Sequence, residues 1–378
     1  MSVIDQRLTQ PVPAPPGCDV PSSARTVMSA DVTTVTSSPF EALPTSRSRS
    51  RRSELIDAIV PYVQIARVDH WFKNAFMILG VVLAFFYEPA LFTWNSATLL
   101  LLALLASCLV ASSNYTLNEL LDGPMDRLHP KKRFRPVPSG RIRPAIAYVE
   151  WAALGAAGLA LAWSINEYFF AAAASLWLLG ITYNVPPIRT KEWPYLDVVS
   201  ESANNAVRLL LGWFPLISDR FPPVSLILSY WMVGAFFMAA KRLAEYRHIA
   251  DPGVAAAYRG SFRHYNENRL LVSLVFYATT CALFGGIFIV RYHLELILFA
   301  PVAAGVFAYY LKIGLQPDSP VQNPEKLYRE RGFLVYMVGS VVLFIMLMFT
   351  SVPMLYDWFN VDPSGMSPLW TLGTGSQR

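Results

Sequence analysis

The chain has 378 residues, of which 54% are hydrophobic and only 15% charged, with a mean hydropathy of +0.37 and a net charge of +5. Soluble domains carry about 25% charged residues, so this composition excludes an ordinary soluble fold and points to a protein embedded in lipid. Cys18, Cys108 and Cys281 form no CxxC pair, which leaves neither a disulfide framework nor a zinc site. The basic residues flank apolar runs as topology and phosphate sites require, a poor footprint for nucleic acid.

Residues 1–52 are rich in Pro, Ser and Thr and lack an apolar stretch behind a basic start, so they read as a disordered cytoplasmic tail rather than a signal peptide. The run Arg47-Ser48-Arg49-Ser50-Arg51-Arg52 closes the tail as a basic patch suited to anionic lipid. Leu55, Ile56, Ile59, Val60, Val63 and Ile65, set among Glu54, Asp57 and Gln64, predict an interfacial helix over 54–72, bent at Pro61. Beyond it, apolar runs of roughly 18 to 20 residues predict spans near 74–92, 96–115, 145–163, 168–184, 203–217, 224–240, 270–290, 294–311 and 333–353. The expected fold class is an all-α polytopic membrane protein, a nine-transmembrane-helix bundle over residues 53–355 with a short extracytoplasmic tail over 356–378.

With the N-terminus cytoplasmic, the internal connections carry almost all the loop Lys and Arg, from Arg127 to Arg143, then Arg189 and Lys191, then Lys241 to Arg269, then Lys312 to Arg331. The opposite connections carry little beyond Arg220 and Arg291. This positive-inside asymmetry predicts a multi-pass protein of the cell (inner) membrane with its long loops facing the cytoplasm.

At the end of the second predicted span, Asn118, Asp122 and Asp126 follow at four-residue spacing. On a helix each step of four drifts only about 40°, so the three would share one face. A row of amide and carboxylate oxygens suits Mg²⁺, which completes its shell with phosphate oxygens. A basic block follows at once, including Lys131, Lys132, Arg133 and Arg135, with Arg141 and Arg143 beyond. Lys131, Lys132, Arg141 and Arg143 also serve as topology charges. Pro124 removes a backbone donor and clashes with the carbonyl four residues earlier, which predicts an interrupted helix and an Asp126 displaced from the axis of Asn118 and Asp122.

The next internal loop runs from Tyr183 through Pro186-Pro187 to Lys191, and Pro194 opens a helix whose first turns carry Asp197 and Glu201 on one face. Two acidic segments on one membrane side are placed to hold one or two Mg²⁺ ions against a diphosphate leaving group, the Lewis-acid and template roles of a metal. Arg208 falls inside an apolar segment, where a charge is costly without a partner or a function. Lys73, Lys241 and Arg242 sit at helix ends facing the same side, and Lys73 also has the option of snorkelling from the first span.

These residues resemble the two acidic motifs of the UbiA superfamily of intramembrane prenyltransferases, over roughly residues 60–355. Within it, His70-Trp71-Phe72-Lys73-Asn74, the block His129 to Pro136, Lys241-Arg242-Leu243-Ala244-Glu245 and Arg263-His264-Tyr265 look most like the decaprenyl-phosphate phosphoribosyltransferase branch. The resemblance implies a Mg²⁺-dependent transfer of a 5-phosphoribosyl group from phosphoribosyl diphosphate to a polyprenyl phosphate, toward lipid-linked arabinose. The chain departs from the pattern at Glu119, where Asp is frequent, and at Glu201, which replaces the usual second Asp. The segment Tyr183 to Lys191 resembles instead the Pro-Pro loop of branches that prenylate aromatic acceptors.

Asp122, Asp126 and Asp197 are the candidate catalytic residues, and with Asn118 and Glu201 the candidate metal ligands. Lys73, Asn118, Lys131, Arg133, Arg135, Tyr183, Lys191, Arg208, Lys241 and Arg242 are the candidate substrate contacts. Two enzyme readings stand, phosphoribosyl transfer to a polyprenyl phosphate and prenyl transfer to an aromatic acceptor. A transporter or silent membrane binding protein is a third, disfavoured because the acidic groups gather at one membrane face rather than at the midplane.

Overall fold

A computed structural model describes residues 51–127, 132–322, 327, 329–362 and 369–372, with side chains from residue 57 onward. The expectations for residues 1–50, for His129 to Lys131 and for parts of the C-terminal tail lie outside the described residues. The described chain is helical: α1 (Arg51–Ile65), α2 (Ile78–Tyr87), α3 (Trp94–Asp126), α4 (Pro144–Ile165), α5 (Glu167–Asn184) and α6 (Leu196–Trp213) come first. They are followed by α7 (Val224–Ile249), α8 (Pro252–Tyr258), α9 (Glu267–Tyr292), α10 (Ala300–Gly314), α11 (Arg331–Met348) and α12 (Pro353–Phe359). One isolated bridge, Arg220 to Thr371, is the extent of β-structure among the described residues.

Each of the nine expected spans falls on a helix, and seven stretches among the described residues are long and apolar enough to cross a membrane. Helices α5 and α6, 18 residues each, match α11 in length but are not apolar enough to be counted. The shortfall in α6 has a plain cause: one of its faces carries Asp197, Glu201, Asn204, Asn205 and Arg208, while Val198, Ala203, Ala206 and Leu209 are buried. The first candidate span, 57–87, takes in most of α1 by length and composition. Helix α1 passes through Pro61 and ends where Ile65 packs with Leu120 and Ile142. Arg67, at φ 50°, then turns the chain into a 3-10 run over Val68–Met77.

The bundle is joined by α3 packing along α4 and α5, α6 along α5 and α7, and α7 along α9. Helices α2 and α6 cross so closely that a Cβ on Gly80 would collide with the Leu209 carbonyl, and one on Gly212 with the Met77 carbonyl. Small residues at such a crossing let backbones approach where no water-driven force pulls helices together.

Helix α3 has 33 residues, about 50 Å at 1.5 Å per residue, against a hydrocarbon core of about 30 Å. Its last turns, with Asn118 to Asp126, therefore project past the apolar layer. The expected interruption at Pro124 does not occur, since α3 continues to Asp126. Pro124 lies in the final turn, where only its own missing donor toward the Leu120 carbonyl is lost and few helical bonds remain to be broken.

Candidate active site

The end of α3 presents oxygen-bearing side chains on two sides rather than in one row. Asn118 and Asp122 face the loop after α5, where the Lys191 ammonium donates to Asp122 Oδ1, lies 2.9 Å from Asn184 Oδ1 and 3.4 Å from Asn118 Oδ1. Arg189 reaches the same Asp122 oxygen at 3.2 Å. Asp126, 6% exposed, turns away and takes Arg135 at 2.9 Å and Lys132 at 3.7 Å. Arg135 also meets Glu119 Oε1 at 3.1 Å, and Arg67 meets it at 3.3 Å. The expectation of a single face is corrected by arithmetic. Over eight residues the drift from Asn118 accumulates to about 80°, whereas Glu119 and Asp126, seven apart, differ by about 20°.

The loop holding Lys191 is shaped by backbone turns. Arg189 adopts φ 31° and Tyr195 φ 66°, conformations uncommon for residues with side chains. They fold the loop so that Lys191 is 6% exposed beneath the end of α3. Burial pushes the Lys191 ammonium below the ordinary lysine range, against the pull of Asp122.

The second acidic segment is built differently. Asp197 is fully buried and accepts from Arg242 Nε at 3.0 Å, Ser261 Oγ at 3.1 Å and Tyr265 OH at 2.6 Å, with Arg259 at 3.5 Å. Arg242, 1% exposed, also reaches Glu245 at 2.9 Å and Glu201 at 3.4 Å. Glu201 accepts from Tyr183 OH at 2.8 Å and keeps its side chain 35% exposed. Burial, with the Asp197 carboxylate beside it, pushes the Tyr265 phenol up. Thus Glu201, not Asp197, is the acid of this segment that an incoming ligand can reach.

Deeper in the bundle, Arg208 is 7% exposed, and Asn74 Oδ1 accepts from its Nε at 3.1 Å. No carboxylate lies within ion-pair distance of it among the described residues. Lys73 stands 5.5 Å from the Tyr115 ring, and the charges of Lys73 and Lys241 act on Glu201. Of the remaining expected contacts, Arg133 is exposed over Phe134 and is not brought to either cluster, and Lys131 lies outside the described residues.

Sequence reasoning missed Arg67, Asn184, Arg189, Arg259, Ser261 and Tyr265 as partners of the acids. The available signal was that a carboxylate in a first helical turn beneath a long loop has to find donors if it is buried.

Among the described residues no group of three or more His, Cys, Asp and Glu side chains is placed to hold a metal ion. The donors around the Lys191 ammonium tell more: Asn118, Asp122 and Asn184 direct three oxygens at one cationic centre, the donor chemistry that a hard divalent ion takes. The fit is good there and poor at Asp197, whose oxygens are already engaged by four donors.

The nodulation protein NoeC of Azorhizobium caulinodans is 30% identical over 198 residues, covering 52% of this chain and 61% of that protein. A decaprenyl-phosphate phosphoribosyltransferase of Mycolicibacterium smegmatis is 28% identical over 210 residues, covering 55% of this chain and 63% of that protein. The chain thus spans about three-fifths of the length of these curated relatives. The solved structure of a UbiA homolog from Archaeoglobus fulgidus bound to DMAPP and Mg²⁺ superposes with a TM-score of 0.57 at 21% identity, covering 76% of this chain and 97% of that one. The profile of the UbiA prenyltransferase family matches residues 75–331, more than half of the chain, and the protein belongs to that family of membrane transferases.

Proposed function

We propose that this multi-pass membrane protein transfers a 5-phosphoribosyl group from phosphoribosyl diphosphate to a polyprenyl phosphate at the cytoplasmic face. The observation that carries the reading is the surplus of cations around the end of α3 and below it. Lys191 and Arg189 stand on one side, Arg67 and Arg135 on the other, and Arg208 has no carboxylate within ion-pair distance among the described residues. One diphosphate needs only part of this set, whereas the proposed pair of substrates brings a diphosphate, a sugar phosphate and a lipid phosphate. The likeness to decaprenyl-phosphate phosphoribosyltransferase over 55% of the chain supports the same choice.

In this reading Lys191 and Arg189 hold the diphosphate of the donor, with Arg offering two parallel contacts. Asn118 and Asp122 would hold Mg²⁺, with Glu201 the further candidate ligand from the second acidic segment, and the ion when bound would neutralise charge developing on the diphosphate. Asp197 is a positioning residue: it fixes Arg242, which in turn fixes Glu201 and Glu245. Arg208 and Lys73 receive the phosphate of the acceptor, because a membrane-buried guanidinium lacking a carboxylate is stabilised by an anionic ligand. An acceptor phosphate oxygen forms a bond to C1 of the ribose as the C1–O bond to diphosphate breaks and the diphosphate leaves with the electron pair. The acceptor is already an anion, so no general base is required.

The second reading, prenyl transfer to an aromatic acceptor, is favoured by the Pro186-Pro187 loop and by the DMAPP bound in the Archaeoglobus homolog. Purified protein given Mg²⁺ and either labelled phosphoribosyl diphosphate or a labelled prenyl diphosphate, each with polyprenyl phosphate or 4-hydroxybenzoate, separates the two. The expected result is label in the lipid phase only from phosphoribosyl diphosphate with polyprenyl phosphate, and a prenylated aromatic product overturns it. The cytoplasmic orientation predicts that Ser139→Cys in a cysteine-free background resists an impermeant thiol reagent in intact cells, while Ser218→Cys reacts.

A further inference from the structure

About 60° around α3 from Asp122, a cavity of about 750 Å³ opens between α1 and the loop after α3. Its polar lining comes from Arg67, Glu119 and Arg135, with Gln64 and Arg141 nearer solvent, and Val60 and Val63 of α1 form an apolar wall. Two features distinguish it from a solvated groove. Glu119 is 4% exposed, and although Arg67 and Arg135 share its Oε1, its buried Oε2 has no hydrogen-bond partner among the described residues. A carboxylate oxygen desolvated in this way is costly unless a donor reaches it. The second feature is that three guanidinium groups line a cavity holding two carboxylates, Glu119 and the rim residue Asp69, so the space is net positive.

A ligand that satisfies both features carries hydroxyl donors and a phosphate on one small body. A simple lipid phosphate supplies the anion but nothing for Glu119 Oε2, and a free diphosphate repels it. We infer that this cavity is a sugar-phosphate subsite, in which Arg67, Arg135 and Arg141 take a phosphate monoester while Glu119 Oε2 accepts from ring hydroxyls. The inference rests on the phosphoribosyl reading and extends it, because Glu119 and Asp122 are three residues apart on one helix, about 5–6 Å between Cβ atoms. A donor laid over the end of α3 places its diphosphate toward Lys191 and its 5-phosphate in this cavity. The subsite gives the enzyme a means of rejecting prenyl diphosphates, which have nothing to offer Glu119.

The test is calorimetric titration of the full chain in nanodiscs with ribose 5-phosphate, ribose and farnesyl phosphate. Ribose 5-phosphate is expected to bind, ribose to bind at least tenfold more weakly, and Arg67→Gln and Arg141→Gln each to weaken ribose 5-phosphate on the order of tenfold, the worth of one charged contact. Arg141 is exposed at the rim, so its variant reports even if replacing Arg67 harms folding. Glu119→Ala removes the hydroxyl acceptor and also releases Arg67 and Arg135 from their shared carboxylate, so it is expected to weaken ribose 5-phosphate relative to inorganic phosphate, whose affinity holds or rises. No ribose 5-phosphate binding, binding indifferent to Arg67 and Arg141, or binding of farnesyl phosphate in its place overturns the inference. Phosphoribosyl transfer by a parent enzyme whose Arg141→Gln variant keeps its KM for the donor removes the subsite and leaves the function. Ribose 5-phosphate binding that depends on Arg141 in a protein transferring only prenyl groups keeps the subsite and removes the function.

Discussion

Asp122 and Asp197 both belong to the cytoplasmic side in our reading, and both are met by basic residues, yet their surroundings differ in kind. Asp197 has no exposed surface and four donors drawn from α7 and from the end of α8 and the loop after it. Asp122 keeps its side chain 29% exposed and is met by Lys191 and Arg189 from a single loop. A closed set of donors makes a carboxylate a structural joint, since removing it leaves several buried donors without their acceptor at once. An open one leaves oxygens that a ligand can recruit. In the proposed reading, two aspartates of similar appearance in sequence divide between building and working.

The sharpest way to break this contrast is Asp197→Ala. Loss of the buried carboxylate leaves Ser261 and Tyr265 without their acceptor and Arg242 with only Glu245 and Glu201, and is expected to cost about 3 kcal/mol of stability, read as loss of monodisperse protein or a large fall in thermal midpoint. Asp122→Ala is expected to fold with a midpoint near that of the parent and to lose about a hundredfold in turnover, or about 2.7 kcal/mol at 1.36 kcal/mol per tenfold. Asp126→Ala sharpens the contrast on one helix: because Asp126 faces Arg135 rather than Lys191, its turnover loss is expected to be about tenfold, smaller than that of Asp122. Equal losses in the two variants would restore the single acidic row.

The smallest effect concerns pH. Lys191 must be protonated to hold a diphosphate, and burial lowers its affinity for the proton. The KM for the donor is therefore expected to rise with pH from a point below the ordinary lysine value of about 10.4, and Lys191→Arg to remove that alkaline limb. Stability runs the other way. The unfolded chain binds this proton more tightly than the folded one, so the contribution of Lys191 to stability grows as pH rises through its lowered value.

Much of the fold was legible because membrane spans are written as runs of apolar residues, and each predicted run lies on a helix. The length of α3 was less legible, since Gly123-Pro124 reads as a break, but a proline in a last turn has few hydrogen bonds left to disrupt. The acids of the site were visible from their spacing. Their partners were not, because Ser261 and Tyr265 lie more than 60 positions from Asp197 and come to it through loops without periodic pattern. The pairing of Glu119 with the face of Asp126 was available from helical angles, which a four-residue count alone conceals.

The measurement that bears most directly on the division of labour is a Mg²⁺ titration of turnover per folded molecule in Asp122→Asn and Asp197→Asn, with thermal midpoints taken on the same samples. The account predicts that Asp122→Asn raises the Mg²⁺ concentration for half-maximal turnover at an unchanged midpoint, while Asp197→Asn lowers the midpoint and leaves the Mg²⁺ requirement where it was. A raised Mg²⁺ requirement with an unchanged midpoint in Asp197→Asn would make Asp197 a metal ligand and contradict the account.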